Sequence, residues 1–109
     1  MVTIEYGEAG KVVWFSVNRD EKKVASVVLY VIGNENGNVL FGLIHDLFVD
    51  KEYRRTDVGQ DLLKAVLEEA KVAKCHKVIA ISSYVMNYFS RLYDHCGFVN
   101  AGKELAVEL

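Results

Sequence analysis

Residues 52–63 read EYRRTDVGQDLL, Glu52 to Leu63. Two adjacent arginines stand in a short polar stretch, after which Val58, Leu62, Leu63, Val66, Leu67 and Ala70 recur at intervals of three and four. That period predicts an amphipathic helix from Val58 to about Lys74, with Thr56 and Asp57 both suited to cap its start. The first N–H groups of such a helix have no internal acceptor and lie at the positive end of its dipole. An anion fits there, and arginines add charge-assisted donors. Glycine would allow the closest approach of a phosphate to the backbone, yet Asp57 stands in the turn. The stretch therefore reads in two ways, as an anion cradle or as a solvated helix start whose own aspartate fills the anion's place.

On the N-terminal side the period is two. Val2 to Tyr6 alternate weakly, and GEAG (7–10) joins them to KVVWFSVNRD (11–20), a β-branched and aromatic run that ends in turn residues. DEKK (20–23) turns the chain into VASVVLYVIG (24–33), and GNENGN (33–38) turns it into VLFGLIHDLFVD (39–50). These are four strands in antiparallel succession. On the C-terminal side KVIAIS (77–82) is a short apolar strand, reached from the fourth strand through a helix. That crossover makes the pair parallel and right-handed. A second helix is expected near Met86 to His95, burying Phe89, Leu92 and Tyr93, with Gly97 ending it. FVNAGKELAVEL (98–109) reads as one or two further strands with Leu105, Val107 and Leu109 on one face. The fold class is α/β: a single domain over 1–109 with a mixed, mostly antiparallel sheet and two main helices.

With 109 residues, 51% of them hydrophobic, the chain can bury one modest core without disulfides or metal. Thirteen basic and fifteen acidic side chains give a net charge of −2, which disfavours nucleic acid and membrane surfaces as partners. There is no leader pattern and no apolar run long enough to span a bilayer, so a cytoplasmic protein is expected. Cys75-His76 and His95-Cys96 could in principle meet at a metal, but their spacing matches no familiar zinc pattern. Two reduced cysteines and no metal is the reading preferred here.

The block LIHDLFVDKEYRRTDVGQDLL (43–63) resembles the strand, loop and helix of the GNAT superfamily of acyl-CoA-dependent N-acetyltransferases. The family's pyrophosphate motif, Arg or Gln, two residues, Gly, one residue, Gly or Ala, falls on Arg54, Arg55, Thr56, Asp57, Val58 and Gly59. RLYDHCGF (91–98) resembles its second hallmark, a helix carrying Leu-Tyr followed by Gly-Phe. The resemblance implies acetyl-CoA as co-substrate, an amine acceptor as partner, and direct attack of that amine on the thioester in a ternary complex. It implies that the backbone of Leu47, Phe48 and Val49 lies beside the pantetheine arm, and that amides from Arg55 to Gln60 cradle the pyrophosphate. Tyr93 matches the tyrosine that protonates the departing thiolate; a phenol is protonated at neutral pH. Its alternative role is a ring packed on Phe89 one turn earlier.

His45 and Asp46 fall where many members carry a base or a residue that holds a water. An imidazole titrates near neutrality, and an aspartate can orient water or bind a cationic acceptor. Because successive strand residues face opposite ways, only one of the two is expected in a given cleft. The alternative for His45 is a plain surface position. Ser82 and Ser83 either line the same cleft or are ordinary strand-end hydroxyls.

The chain departs from the family pattern at Asp57, which takes the place of the first motif glycine. It departs again between its first two strands, where a helix pair is usual and only Gly7 to Gly10 intervene, and Asn87 lies one position late against Tyr93. The acceptor cleft should therefore be open, or completed by a second subunit as a homodimer. The leading expectation is an N-acetyltransferase with Tyr93, His45 and Asp46 as catalytic residues. The other is a catalytically degenerate acyl-CoA-binding or protein-interaction module on the same fold.

Overall fold

A computed structural model describes residues 1–7, 11–33, 40–81, 88–102 and 105–109. Five strands form one sheet in sequential order: β1 (Val2–Tyr6), β2 (Val12–Arg19), β3 (Lys22–Gly33), β4 (Leu40–Val49) and β5 (Val78–Ala80). The first four pair antiparallel and β5 runs parallel to β4. The β2–β3 hairpin turns on two residues, Asp20 and Glu21, at φ 51° and 64°. Arg19 pairs directly with Lys22, so the turn carries the positive φ at both central positions that suits a right-twisted ribbon. The segments 8–10 and 34–39, where the other two hairpin turns were expected, lie outside the described residues.

Helix α1 (Val58–Val72) supplies the crossover from β4 to β5, and α2 (Tyr88–His95) follows β5. Both end in the same way. After α1, Cys75 N–H bonds to Ala70 C=O and Lys74 N–H to Lys71 C=O, with Lys74 at φ 67°. After α2, Phe98 N–H bonds to Tyr93 C=O and Gly97 N–H to Asp94 C=O, with Gly97 at φ 95°. These are the paired long and short hydrogen bonds of the Schellman ending, which needs a left-handed residue just past the helix.

The core is one-sided. Val13, Phe15 and Val17 of β2, Val27 and Leu29 of β3 and Ile44 of β4 are buried against Leu62, Leu63 and Val66 of α1. Gly42 lets β4 approach that layer, since a Cβ there would press on Leu29. The opposite face presents Trp14, Tyr30, Ile32, His45 and Phe48 to solvent. The C-terminal strand expected from the alternation of Leu105, Val107 and Leu109 does not form: described residues 98–102 and 105–109 lie in no strand, and all three side chains are exposed. Alternation provides strand propensity, but a strand also needs a neighbour's donors and acceptors, and β5 offers an edge only three residues long.

Candidate acyl-transfer site

The site is built where β4 and β5 part. Their parallel pairing runs from Gly42↔Val78 to Ile44↔Ala80 and stops there, while β4 continues to Val49. Immediately after that point the β3–β4 register slips, from Val28↔His45 to Ser26↔Phe48, so β4 carries one extra residue. Asp46 takes that bulge with φ 56°, a left-handed conformation that costs a non-glycine residue about 1 kcal/mol. The bulge also overturns the expected alternation: His45 and Asp46 are both exposed and pair with each other, Nδ1 to Oδ2 at 3.3 Å. Leu47 is half-buried, Phe48 exposed and Val49 buried.

Beyond Val49 the chain makes a one-turn 3₁₀ helix, Lys51–Tyr53. Asp50 accepts a hydrogen bond from Glu52 N–H at 3.0 Å and pairs with Lys22 Nζ at 3.0 Å. The Glu52 amide and then Lys22 hold its carboxyl below the usual carboxylate range. Sequence reading missed this brace; an aspartate two residues before an amide that needs an acceptor was its only mark.

Arg54 is committed to the protein. Its Nε donates to Val49 C=O at 3.0 Å, and its guanidinium lies over the rings of Tyr88 at 5.3 Å and Phe89 at 4.9 Å. Thr56 Oγ1 donates to Tyr53 C=O at 2.6 Å and accepts a long bond of 3.4 Å from Val58 N–H. The Asp57 side chain makes no capping hydrogen bond. The reading in which it caps α1 through its carboxylate is thereby corrected: the hydroxyl of Thr56 takes that place. Among the described residues the amides of Arg55, Asp57, Gly59 and Gln60 have no backbone acceptor in the turn. Among the described residues, the start of α1 thus presents amides without a backbone acceptor beside a carboxylate that makes no capping bond.

Gly59 is buried, and a side chain there would collide with the Tyr88 hydroxyl and Leu92. Its small size is needed for α2 to pack on the start of α1, whatever else binds there. Tyr88 was not singled out from the sequence. Its spacing of four from Leu92 on α2 was the available signal, because it places both on one helix face.

Tyr93 is buried, and burial pushes its phenol up to about 12. Its ring meets Phe98 edge-on at 5.1 Å, whereas Phe89 pairs with Tyr88 at 5.3 Å. The expected contact with Phe89 is thus replaced by one with Phe98, across the Schellman ending of α2. No hydrogen bond or ring contact joins Tyr93 to His45 or to the 54–60 turn. Ser82, Ser83, Met86 and Asn87 lie outside the described residues.

Cys75 and Cys96 are free thiols, both pushed up by burial, and His76 Nδ1 lies 2.7 Å from Leu40 C=O. Among the described residues no three His, Cys, Asp or Glu side chains converge as metal ligands, and no helix is long and apolar enough to cross a membrane.

Comparison with known proteins places this geometry in a family. The family model described as an acetyltransferase (GNAT) domain matches residues 10–100. The chain belongs to the GNAT acetyltransferase family. An acetyltransferase of Trypanosoma brucei shares 25% identity at a TM-score of 0.76, over 91% of this chain and 70% of that one. Glucosamine-6-phosphate N-acetyltransferase of Arabidopsis thaliana superposes at 0.79 with 20% identity, over 90% of this chain and 67% of that one. A predicted acetyltransferase of Clostridium acetobutylicum, solved with acetyl-CoA, superposes at 0.74 with 18% identity, over 90% of this chain and 64% of that one. No curated protein matches the chain significantly.

Proposed function

We propose that the protein is an N-acetyltransferase that moves an acetyl group from acetyl-CoA to a primary amine by direct attack in a ternary complex. The observation that carries this reading is the row of acceptor-free amides at the start of α1, at the end of a bulged β4, in a chain of the GNAT family. The amides of Arg55, Asp57, Gly59 and Gln60 would hold the pyrophosphate, with the Arg55 side chain beside them. The backbone of Leu47 and Phe48 would align the pantetheine arm. Val49 contributes less, because its carbonyl already accepts from Arg54.

In the reaction the amine nitrogen forms a bond to the thioester carbonyl carbon and the carbon–sulfur bond breaks. The amine must lose a proton and the departing thiolate must gain one. His45 takes the first of these roles, with Asp46 beside it to orient the imidazole or a water. Tyr93 takes the second: with its phenol raised to about 12 it keeps its proton across the working range. Burial makes it a reluctant donor, so transfer needs the hydroxyl to meet the thiolate directly.

A second reading is a degenerate acyl-CoA-binding or protein-interaction module. It is favoured by Arg54, whose guanidinium is engaged by Val49 and two rings, and by the Asp57 carboxylate, which makes no capping bond. Either form can pair through free sheet edges as a homodimer, and a cytoplasmic location suits both. Calorimetric titration of CoA and acetyl-CoA into the wild type and Asp57→Gly, followed by release of free CoA thiol with an amine panel, separates the readings. Micromolar binding by the wild type with thiol release is expected. Binding by Asp57→Gly alone would favour the degenerate module, and no binding by either at millimolar concentration would sink the enzyme.

A further inference from the structure

The sheet register draws together residues that are far apart in sequence. Glu5 pairs with Trp14, Trp14 with Val28, and Val28 with His45, so these four form one row across β1 to β4. The row lies on the face opposite α1: Glu5, Trp14 and His45 are exposed and Val28 is half-buried. The Asp46 carboxylate closes one end through its contact with His45, and Glu5 closes the other. Thr3, Ser16, Ser26 and Phe48 form the next row. A groove of about 500 Å³ follows these strands, with Glu5, Trp14, Val28 and Asp46 among its lining. Lys23 enters it from the far side, opposite Asn18.

We infer that this groove takes the acceptor, and that the acceptor is a linear aliphatic polyamine. One amine would sit at His45 and Asp46, a second at Glu5, and the methylenes between them on Trp14 and Val28. Three interstrand gaps of about 4.8 Å separate the ends of the row, roughly 14 Å between backbones and about 10 Å between the facing groups. An extended chain advances about 1.2 Å per bond, so eight to ten atoms between terminal nitrogens bridge that distance. The indole offers its face to a methylene chain and to an ammonium at once. Lys23 disfavours a cation in the half of the groove beyond Ser16 and Ser26, which confines the ligand to the Trp14 row. Anionic or bulky cyclic amines satisfy neither the two carboxylates nor the flat floor.

The chemistry rests on the acetyltransferase reading, but binding in the groove does not. Trp14 is the chain's only tryptophan, so its emission reports occupancy. The experiment titrates spermidine and n-butylamine into the wild type and Glu5→Gln, followed by Trp14 emission. Circular dichroism checks each fold, and product mass is then measured with acetyl-CoA present. Spermidine is expected to bind at least about tenfold more tightly than butylamine, an advantage that needs the second ammonium and the ring together. Glu5→Gln should weaken spermidine about two- to fivefold and leave butylamine unchanged, as expected for one exposed charge pair. Equal affinity for the two amines, indifference to Glu5→Gln, or Trp14 emission that tracks protein concentration as in a dimer would overturn the proposal. Selective spermidine binding without an acetylated product would uphold the groove and count against acetyl transfer. Acetylation of butylamine and spermidine alike would do the reverse.

Discussion

Lys74 and Gly97 do the same work with unequal side chains. Each sits just past a helix in the left-handed conformation, at φ 67° and 95°, where a Cβ is penalised. Nothing lies within 4 Å of a Cβ added to Gly97, so Gly97→Ala tests backbone conformation alone. It should cost about 1 kcal/mol, and Lys74→Gly should gain about 0.5–1 kcal/mol, both read as shifts of the urea midpoint without a change in slope. Asp57 is the third decisive residue. A carboxylate about 5 Å from a phosphate opposes it by roughly 3 kcal/mol at an effective dielectric near 20, before screening. Because the carboxylate caps nothing, replacing it removes a repulsion and no helix-capping bond. Asp57→Gly should therefore raise CoA affinity about tenfold at low salt, with the gain shrinking as salt is added. A mutant affinity equal to that of the wild type would mean the phosphate binds elsewhere.

At the scale of elements, the turn between β4 and α1 is braced from both sides. Lys22 and the Glu52 amide hold Asp50, and the rings of α2 hold Arg54. Asp50 is an acid whose folded value lies below the ordinary 3.8, so its contribution is full above that value and is lost as pH falls through the lower folded one. Asp50→Asn should flatten the acid limb of the stability curve below about pH 4. Tyr93 works with the opposite sign. Its folded value of about 12 lies above the ordinary 10, so its contribution is full below pH 10 and fades as pH rises through 12. A tyrosinate absorbance titration should show a late step near pH 12 that Tyr93→Phe removes. A Tyr93 that titrates near 10 would show that its ring is not packed under Phe98. The Tyr-to-Gly-Phe spacing was legible in the sequence as a motif. Gly97 was legible as the helix end, but the packing of Phe98 on Tyr93 was not, because it depends on the backbone bond from Phe98 to Tyr93 that only the folded helix end supplies. The β4 bulge was equally hidden: one extra residue leaves no trace in a pattern whose neighbours still read as strand.

For the whole molecule, the element order was legible in β-branched and aromatic runs bounded by turn residues and in the three-and-four repeat of α1. That pattern failed at the C-terminal end, where Leu105 to Leu109 alternate without a neighbour to pair with. The same one-dimensional pattern is silent on which sheet face stays bare, because that depends on what covers it. The buried layer lies between α1 and a single face, so stability should be strongly asymmetric. Leu62, fully buried against the sheet, should cost about 3 kcal/mol as Leu62→Ala through lost transfer energy and the cavity left behind. Trp14, 46% exposed on the other face, should cost less than about 1 kcal/mol as Trp14→Ala despite its larger side chain. Replacing Leu105, Val107 and Leu109 together by serine should leave the midpoint unchanged, since none of them buries surface. Urea titrations of the three variants at two protein concentrations decide the matter. If Trp14→Ala proves as costly as Leu62→Ala, and more so at the higher concentration, then a second copy covers the bare face in solution, and the acceptor must reach His45 and Asp46 by another route.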